Sequence, residues 1–262
     1  MNLGYERCCA EILTQTDLLA ATVKAADLSA RVPSCPDWNL AQLLRHVGGV
    51  HRWIEQTVRS RATAPTPDEQ ARQLSGRVDE DPAVLAEWLA EGAARLAATL
   101  REAGPDAPVW TPIPRGAATP VFYARRMAHE TAIHRADAAL AVGAAYELAG
   151  DVAVDAFEEW LELGALPEIL DMHPEKRALL GPGRTLAFEA TDARADASWF
   201  LDLTGDVITW RHGVAPAAVT VRAPLTGLLL VVYRRRPARA AGVEVAGDTA
   251  FFDEWLELVT FG

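Results

Sequence analysis

The chain has 262 residues, half of which are hydrophobic, and its formal net charge is −11. This length allows one large domain or two ordinary ones, and the acidic balance disfavours nucleic acid and anionic membranes as partners. No apolar run approaches the roughly 18 residues that span a bilayer, and the N-terminus lacks the features of a signal peptide, so a soluble, cytoplasmic protein is expected.

The first helix is predicted over residues 4–30, where apolar side chains recur with few helix breakers. The segment 31–37 that follows is predicted to be a loop. It contains Pro33 and Pro36, and each proline disfavours helical backbone in the residue before it.

The second helix has a clear start signal. Asn39 is predicted to cap it, and Gln42, three residues later, completes a capping box. Trp38, just before the cap, is in position to pack onto Leu43 as a hydrophobic staple. Apolar residues at helical spacing then continue the helix to Ile54.

The third and fourth helices share another start signal, a capping residue followed by proline at the first helical position. The two pairs are Asp81-Pro82 and Thr119-Pro120. The helices are expected near 82–103 and 120–142, with a polar connection over 60–80 and a long, proline-rich loop over 104–119. Four helices favour a four-helix bundle, in which metal sites are built from side chains on facing helices.

The second half of the chain has a different pattern. A fifth helix is predicted over residues 151–172, after which apolar residues alternate as in strands. Strands are predicted at 185–190, 199–203, 207–210, 218–222 and 243–245, and helices at 225–233 and 248–259. Gly205-Asp206 predicts a hairpin between the second and third strands. The fold class is therefore α+β, with a helical domain over 1–150 and an α+β domain over 151–262.

Glu130 and His134 are the first candidate metal ligands, because residues four apart project from one face of a helix. Since His129 is five residues before His134, the segment is not the H-E-x-x-H motif of zinc proteases. The facing helix offers His46 as a third ligand, and a His₂Glu set leaves one coordination position open, as in catalytic zinc sites. The spacing also allows a simpler arrangement, in which His46 is a core or edge histidine and Glu130 only contacts His134 on a solvated helix face. The remaining histidines are expected to be packing or surface residues: His51, His129, His173 and His212.

Three stretches of the chain resemble one known family. The first is Val32-Pro33-Ser34-Cys35-Pro36-Asp37-Trp38 with the following Leu43-Leu44-Arg45-His46-Val47, and the second is Arg126-Met127-Ala128-His129-Glu130-Thr131-Ala132-Ile133-His134-Arg135-Ala136-Asp137. The third, near the end of the chain, combines Val219-Thr220-Val221-Arg222-Ala223-Pro224, Leu228-Leu229-Leu230, Arg235-Arg236-Pro237 and Val245-Ala246-Gly247-Asp248. Together they resemble the mycothiol-dependent maleylpyruvate isomerase family, which has a DinB-like metal-binding bundle and a sterol-carrier-like C-terminal domain.

The resemblance implies that His46, Glu130 and His134 are the metal ligands and that mycothiol, a small thiol of actinobacteria, is the cosubstrate. Nitrogen and oxygen donors favour Zn²⁺, although iron, nickel and manganese are chemically admissible. No C-x-x-C pair occurs, so a cysteine zinc site is not expected.

The resemblance also implies that an arginine of the C-terminal domain reaches the substrate. Arg222 is the first candidate and Arg236 the second, and for each the alternative is an ordinary solvent-facing arginine. Asp137 lies three residues beyond His134 on the same helix face, where it is expected to orient a ligand or bind the thiol, unless it is simply exposed.

A metal ion lowers the pKa of a bound thiol below the roughly 8.5 of a free thiol, so that the thiolate forms at neutral pH. Two enzyme activities follow from such a thiolate. In an isomerase, the thiolate adds to the cis double bond of maleylpyruvate, the new single bond rotates, and elimination returns fumarylpyruvate. In a mycothiol S-transferase, the thiolate attacks another electrophile and stays attached. A non-enzymatic alternative is a metal-stabilised protein that binds a small apolar ligand in its second domain.

Overall fold

The computed structural model describes residues 3–67, 81–113, 118–192 and 197–259. They form two compact units that divide between Tyr146 and Glu147. The sequence prediction places this boundary between residues 150 and 151. Most of the connection predicted over 60–80 lies outside the described residues. Among the described helices, none combines the length and the hydropathy needed to cross a bilayer.

The first unit is the predicted four-helix bundle. Its helices are α1 (Tyr5–Val23), α2 (Leu40–Arg59), α3 (Pro82–Ala103) and α4 (Pro120–Val142). Helix α1 packs against α3 and α4, and α2 packs against the same two helices. The two helices that carry the candidate ligands, α2 and α4, are therefore neighbours in the bundle.

The predicted helix starts are largely confirmed. Asn39 and Gln42 form the reciprocal capping box, with both backbone-to-side-chain distances at 2.9 Å. The Asp81 carboxylate accepts hydrogen bonds from the first turn of α3. Helix α4 begins at Pro120 as predicted, but the Thr119 side chain makes no capping hydrogen bond. The Thr119 carbonyl instead accepts a backbone hydrogen bond from Phe122, which closes the first turn.

Two predictions for residues 4–37 are wrong in detail. Helix α1 ends at Val23, and the chain then turns at Asp27, whose side chain accepts two hydrogen bonds from Ser29. The predicted loop 31–37 contains a two-stranded antiparallel hairpin of β1 (Arg31–Val32) and β2 (Cys35–Asn39). Pro33 lies in the turn between the strands, and Pro36 is tolerated in β2 because both strands of a two-stranded sheet are edge strands, where proline is found.

Helix α4 contacts the other three helices of the bundle and is buried along most of its length. Small residues let its neighbours approach closely, and the buried ones are Ala124, Ala128, Ala132, Ala136, Ala138 and Ala139. A second close approach joins α2 to α3. There, a methyl group added to Gly48 would lie only 2.1 Å from a ring atom of Trp88. This close contact with α3 helps to hold α2, the helix that carries His46.

The second unit is an α+β domain with one mixed sheet, which confirms the predicted fold class. Its elements are α5 (Gly150–Gly164), α6 (Pro167–Met172), a 3₁₀ helix (Pro174–Leu179), β3 (Thr185–Ala190), β4 (Ser198–Asp202), β5 (Thr209–His212), β6 (Val219–Ala223), α7 (Leu225–Val232), β7 (Glu244–Gly247) and α8 (Thr249–Leu258). The strand order is β5-β4-β3-β6-β7, with β3 and β6 parallel and the other pairs antiparallel.

The strands lie within two residues of their predicted positions, and β4 and β5 form the predicted hairpin. The single helix predicted over 151–172 is wrong, because the chain breaks between α5 and α6. The break precedes Pro167, which lacks an N–H and disfavours helical backbone at Leu166.

Aromatic side chains fill the space between the sheet and its covering helices. Phe157 of α5 lies 4.3 Å from Trp199 and 5.4 Å from Phe188 between ring centroids. Trp255 of α8 packs on Phe188 at 5.6 Å, and Phe252 stacks on Trp255 at 5.8 Å. These rings are buried, and they make the core of the second unit.

Candidate metal centre

Three side chains converge between α2 and α4. His46 comes from α2, and Glu130 and His134 lie one turn apart on α4. One ligand atom from each side chain can be chosen so that all three lie within 4.8 Å of one another. The Glu130 Oε1 atom is 3.1 Å from His134 Nε2 and 3.6 Å from His46 Nε2. The structure thus brings together the three residues that the sequence singled out as ligands.

The cluster is reachable from solvent on one side. The His134 side chain is only 8% exposed, whereas those of His46 and Glu130 are 32% and 25% exposed. A ligand or substrate therefore approaches from the side of His46 and Glu130, while His134 forms the inner wall.

Asp137 is fully buried behind His134. Its Oδ2 atom is 2.8 Å from His134 Nδ1, and its Oδ1 atom accepts a hydrogen bond of 2.5 Å from the Ser34 hydroxyl. The Cys35 thiol lies 3.8 Å from Oδ2. Because a carboxylate accepts the proton on Nδ1, the lone pair of Nε2 is left for a metal ion. Of the two roles expected for Asp137, this geometry favours orienting a ligand.

Arg126 supports Glu130 in a similar way. Its Nη2 atom contacts Glu130 Oε2, whereas Oε1 makes the contacts with His134 and His46. Burial disfavours the charged form of Glu130, but Arg126 and hydrogen bonds from His134 and His46 outweigh it, so the pKa of Glu130 lies well below its usual range. The carboxylate is therefore ionised at neutral pH, as a metal ligand requires.

The His134 ring is protonated on both nitrogens, and so positively charged, at neutral pH when no metal is bound. Burial disfavours its charged form, but hydrogen bonds to Asp137 and Glu130 raise its pKa to about 9. Binding a metal ion at Nε2 therefore releases that proton.

Trp38 forms an apolar wall beside the imidazoles. Its ring centroid lies 4.8 Å from that of His46 and 6.1 Å from that of His134. The two imidazoles are 4.9 Å apart in an edge-to-face arrangement. Trp38 also packs against the core cluster that contains Leu43, as expected for a hydrophobic staple.

The other histidines lie outside this cluster. His51 and His129 are buried in the bundle, and His51 Nε2 is 2.8 Å from the Thr131 hydroxyl. The Thr131 hydroxyl donates its own proton to a backbone carbonyl, so His51 Nε2 is the donor in this pair. In the second unit, His173 lies near Glu175, and His212 lies 3.5 Å from Glu158.

The three donors fit a divalent metal ion. Two imidazole nitrogens and one carboxylate oxygen form the donor set of catalytic zinc sites, which leave a further position open. The support of His134 by Asp137 matches the outer hydrogen bond that metal-bound histidines usually make. In the part of the chain that the structure describes, no other group of histidine, cysteine or acidic residues converges in this way.

Both candidate arginines of the second unit have partners there. Arg222 on β6 donates two hydrogen bonds to Glu189 on β3, at 2.8 and 3.1 Å, and its Nη1 atom is 3.9 Å from Glu244. Arg236 donates to the backbone carbonyl of Ala241. The charge of Arg222 is therefore largely compensated on the sheet surface.

Sequence reasoning missed three contributors to the site. The contacts of Ser34 and Cys35 with Asp137 join residues more than 100 positions apart, and no local pattern predicts them. Arg126 was detectable, because an arginine four residues before Glu130 lies on the same helix face.

Comparisons with known proteins agree with this architecture. A family model described as the mycothiol maleylpyruvate isomerase N-terminal domain matches residues 9–139. Two similar crystal structures are a mycothiol-dependent maleylpyruvate isomerase and a variant of it in which alanine replaces one histidine, with TM-scores of 0.59 and 0.60. Each is 17% identical to this chain, and each alignment covers 93% of both chains, a likeness that shows the fold. A search of curated proteins found no match. Since the family model spans half of the 262 residues, the chain belongs to the mycothiol maleylpyruvate isomerase family.

Proposed function

We propose that this protein is a metal-dependent enzyme that uses mycothiol to attack an electrophilic small molecule. The reaction that fits the family best is cis–trans isomerisation of a maleylpyruvate-like compound. The observation that carries this proposal is the convergence of His46, Glu130 and His134, with ligand atoms within 4.8 Å and one side open to solvent.

Each residue of the site has a defined task in this proposal. His46, Glu130 and His134 hold the metal, most simply Zn²⁺, which supplies positive charge that lowers the pKa of a coordinated thiol below about 8.5. Asp137 keeps the Nδ1 proton of His134 in place, so that the lone pair of Nε2 would be available to the metal. Trp38 shields the imidazoles on one flank from water.

The substrate carboxylates require a cation, and Arg222 and then Arg236 are the proposed donors. A guanidinium suits this task because it pairs with a carboxylate through two parallel hydrogen bonds. Arg222 already makes such a pair with Glu189, so a substrate carboxylate has to displace Glu189. This internal pair favours a second candidate function, a mycothiol S-transferase whose electrophile needs no carboxylate partner.

A carrier function is less consistent with the second unit. A protein that carries an apolar ligand needs an internal cavity, but the described space between sheet and helices holds the packed rings of Phe157, Phe188, Trp199 and Trp255. An enzyme with its reactive site in the bundle requires no such cavity.

Metal content and thiol chemistry test the proposal together. Bound metal is measured in the wild type and in His46→Ala and Glu130→Ala, with His173→Ala in the second unit as the control. We expect one metal ion per wild-type and control chain, and strongly reduced metal in the two ligand variants. Equal metal in all four proteins contradicts the ligand assignment.

The loaded wild type is then incubated with mycothiol and maleylpyruvate. Conversion to fumarylpyruvate supports the isomerase. A metal-loaded protein that leaves maleylpyruvate unchanged but conjugates mycothiol to another electrophile supports the S-transferase. A metal that stabilises the fold without changing thiol reactivity supports the non-enzymatic alternative.

A further inference from the structure

The two oxygens of the Glu130 carboxylate have different surroundings. Oε1 faces the imidazoles, 3.1 Å from His134 Nε2 and 3.6 Å from His46 Nε2. Oε2 contacts the guanidinium of Arg126, which lies one helical turn earlier on α4. One oxygen is thus directed at the candidate metal position, and the other is engaged by a permanent cation.

We propose that Arg126 is a positioning residue that restricts Glu130 to a single metal-binding oxygen. A free carboxylate can bind a metal through one oxygen or both. With Oε2 engaged by Arg126, the protein offers three donor atoms, namely one oxygen and two imidazole nitrogens. This restriction leaves room for a thiol on the metal, and the inference rests on the proposed function because it concerns the same metal ion.

The position of Arg126 suits this role better than that of a simple surface charge. Its side chain is only 19% exposed, and that of Glu130 is 25% exposed, so the pair is shielded from bulk water. Charge-assisted hydrogen bonds are stronger and more directional than neutral ones, and they hold a carboxylate in one rotamer.

The chain contains a matched pair away from the site. Arg7 and Glu11 on α1 have the same order and the same four-residue spacing, and their side chains also make contact. Removing Arg7 therefore reproduces the loss of a helical arginine–glutamate pair without touching the metal ligands.

Cobalt(II) is the probe, because its visible bands are intense in four-coordinate sites and weak at higher coordination numbers. Co²⁺ is titrated into metal-free wild type, Arg126→Gln, Arg126→Lys, Arg7→Gln and His46→Ala. We expect intense bands in the wild type and in Arg7→Gln. Arg126→Gln should show weaker bands and an affinity for Co²⁺ about 10- to 100-fold lower, since loss of an outer hydrogen bond to a ligand has this effect. Arg126→Lys should retain the wild-type spectrum, because the lysine ammonium group can still contact Glu130 Oε2.

The possible failures are distinguishable. If Arg126→Gln binds Co²⁺ with the wild-type spectrum and affinity, Arg126 does not position Glu130 and the inference is overturned. If Arg126→Gln does not fold, as judged by circular dichroism, Arg126→Met, which keeps the apolar stem of the side chain, replaces it and is judged in the same way. If the wild type binds no Co²⁺, or His46→Ala keeps the wild-type spectrum, the proposed metal site itself is wrong.

Discussion

Asp137 offers the sharpest test of how the protein prepares His134 for a metal ion. The Asp137 side chain is fully buried, and its carboxylate accepts hydrogen bonds from the His134 ring and the Ser34 hydroxyl. Asp137→Asn keeps the shape but removes the charge. The amide oxygen can still accept the Nδ1 proton, so the ring keeps its orientation and its tautomer. Asp137→Ala removes the acceptor altogether.

The expected losses follow from this difference. Mutating the outer partner of a metal-bound histidine typically weakens metal affinity by about 10- to 100-fold, which is roughly 1.4 to 2.8 kcal/mol. Because Asp137→Asn preserves the hydrogen bond, we expect it near the lower end of that range. Asp137→Ala leaves Nδ1 without its acceptor, so we expect it near the upper end.

Zn²⁺ affinity is measured by competition with a chromophoric chelator at fixed pH and salt. Asp37→Asn is the control, because Asp37 is an exposed aspartate on β2 of the same hairpin. Circular dichroism checks that each variant is folded. If Asp137→Asn and Asp137→Ala both bind Zn²⁺ with the wild-type affinity, the hydrogen bond from His134 to Asp137 does not contribute to metal binding.

Three further predictions concern stability. Burial lowers the pKa of His51 to about 3. Between about pH 6.5 and pH 4, His51 is therefore protonated in the unfolded chain but not in the folded chain. The free energy of unfolding should fall by roughly 3 kcal/mol from pH 6.5 to pH 4 for this reason. Denaturant titrations should show a clearly shallower acid loss in His51→Gln, and an unchanged slope contradicts the assignment. Gly48→Ala should destabilise the bundle by about 1–3 kcal/mol in thermal unfolding, because the added methyl group clashes with Trp88. Gly164→Ala is the control, because a methyl group added there meets no neighbour within 4 Å. Zinc at 100 times its Kd should stabilise the wild type by about 2.7 kcal/mol, and His46→Ala should lose most of this gain in the same measurement.

Local chemistry explains which parts of the fold were predictable. The capping box of Asn39 and Gln42 and the cap of Asp81 depend on residues within one turn, so the sequence alone locates these helix starts. The β1–β2 hairpin was missed because Pro33 and Pro36 are also typical of loops, and only strand pairing distinguishes the two.

Some parts of the candidate site were likewise predictable from local sequence, and others depend on contacts between distant parts of the chain. The spacing of Glu130 and His134 is a helical property and was visible in the sequence. The approach of His46 depends on which helices face each other, and the family resemblance indicated it more clearly than spacing did. The engagement of Arg222 by Glu189 joins parallel strands β3 and β6, and no pattern within either strand predicts which partner an arginine takes.

Helix α4 carries most of the site within a single stretch of chain. Arg126, Glu130, His134 and Asp137 follow one another at spacings of four, four and three residues. Two proposed ligands and the hydrogen-bonding partner of each therefore lie on one continuous segment of helix. Another helical bundle that received this helix would need only one histidine on the facing helix to complete the donor set. Such a graft would turn an inert bundle into a metal-binding one with few substitutions, which gives protein design a compact route to the same chemistry.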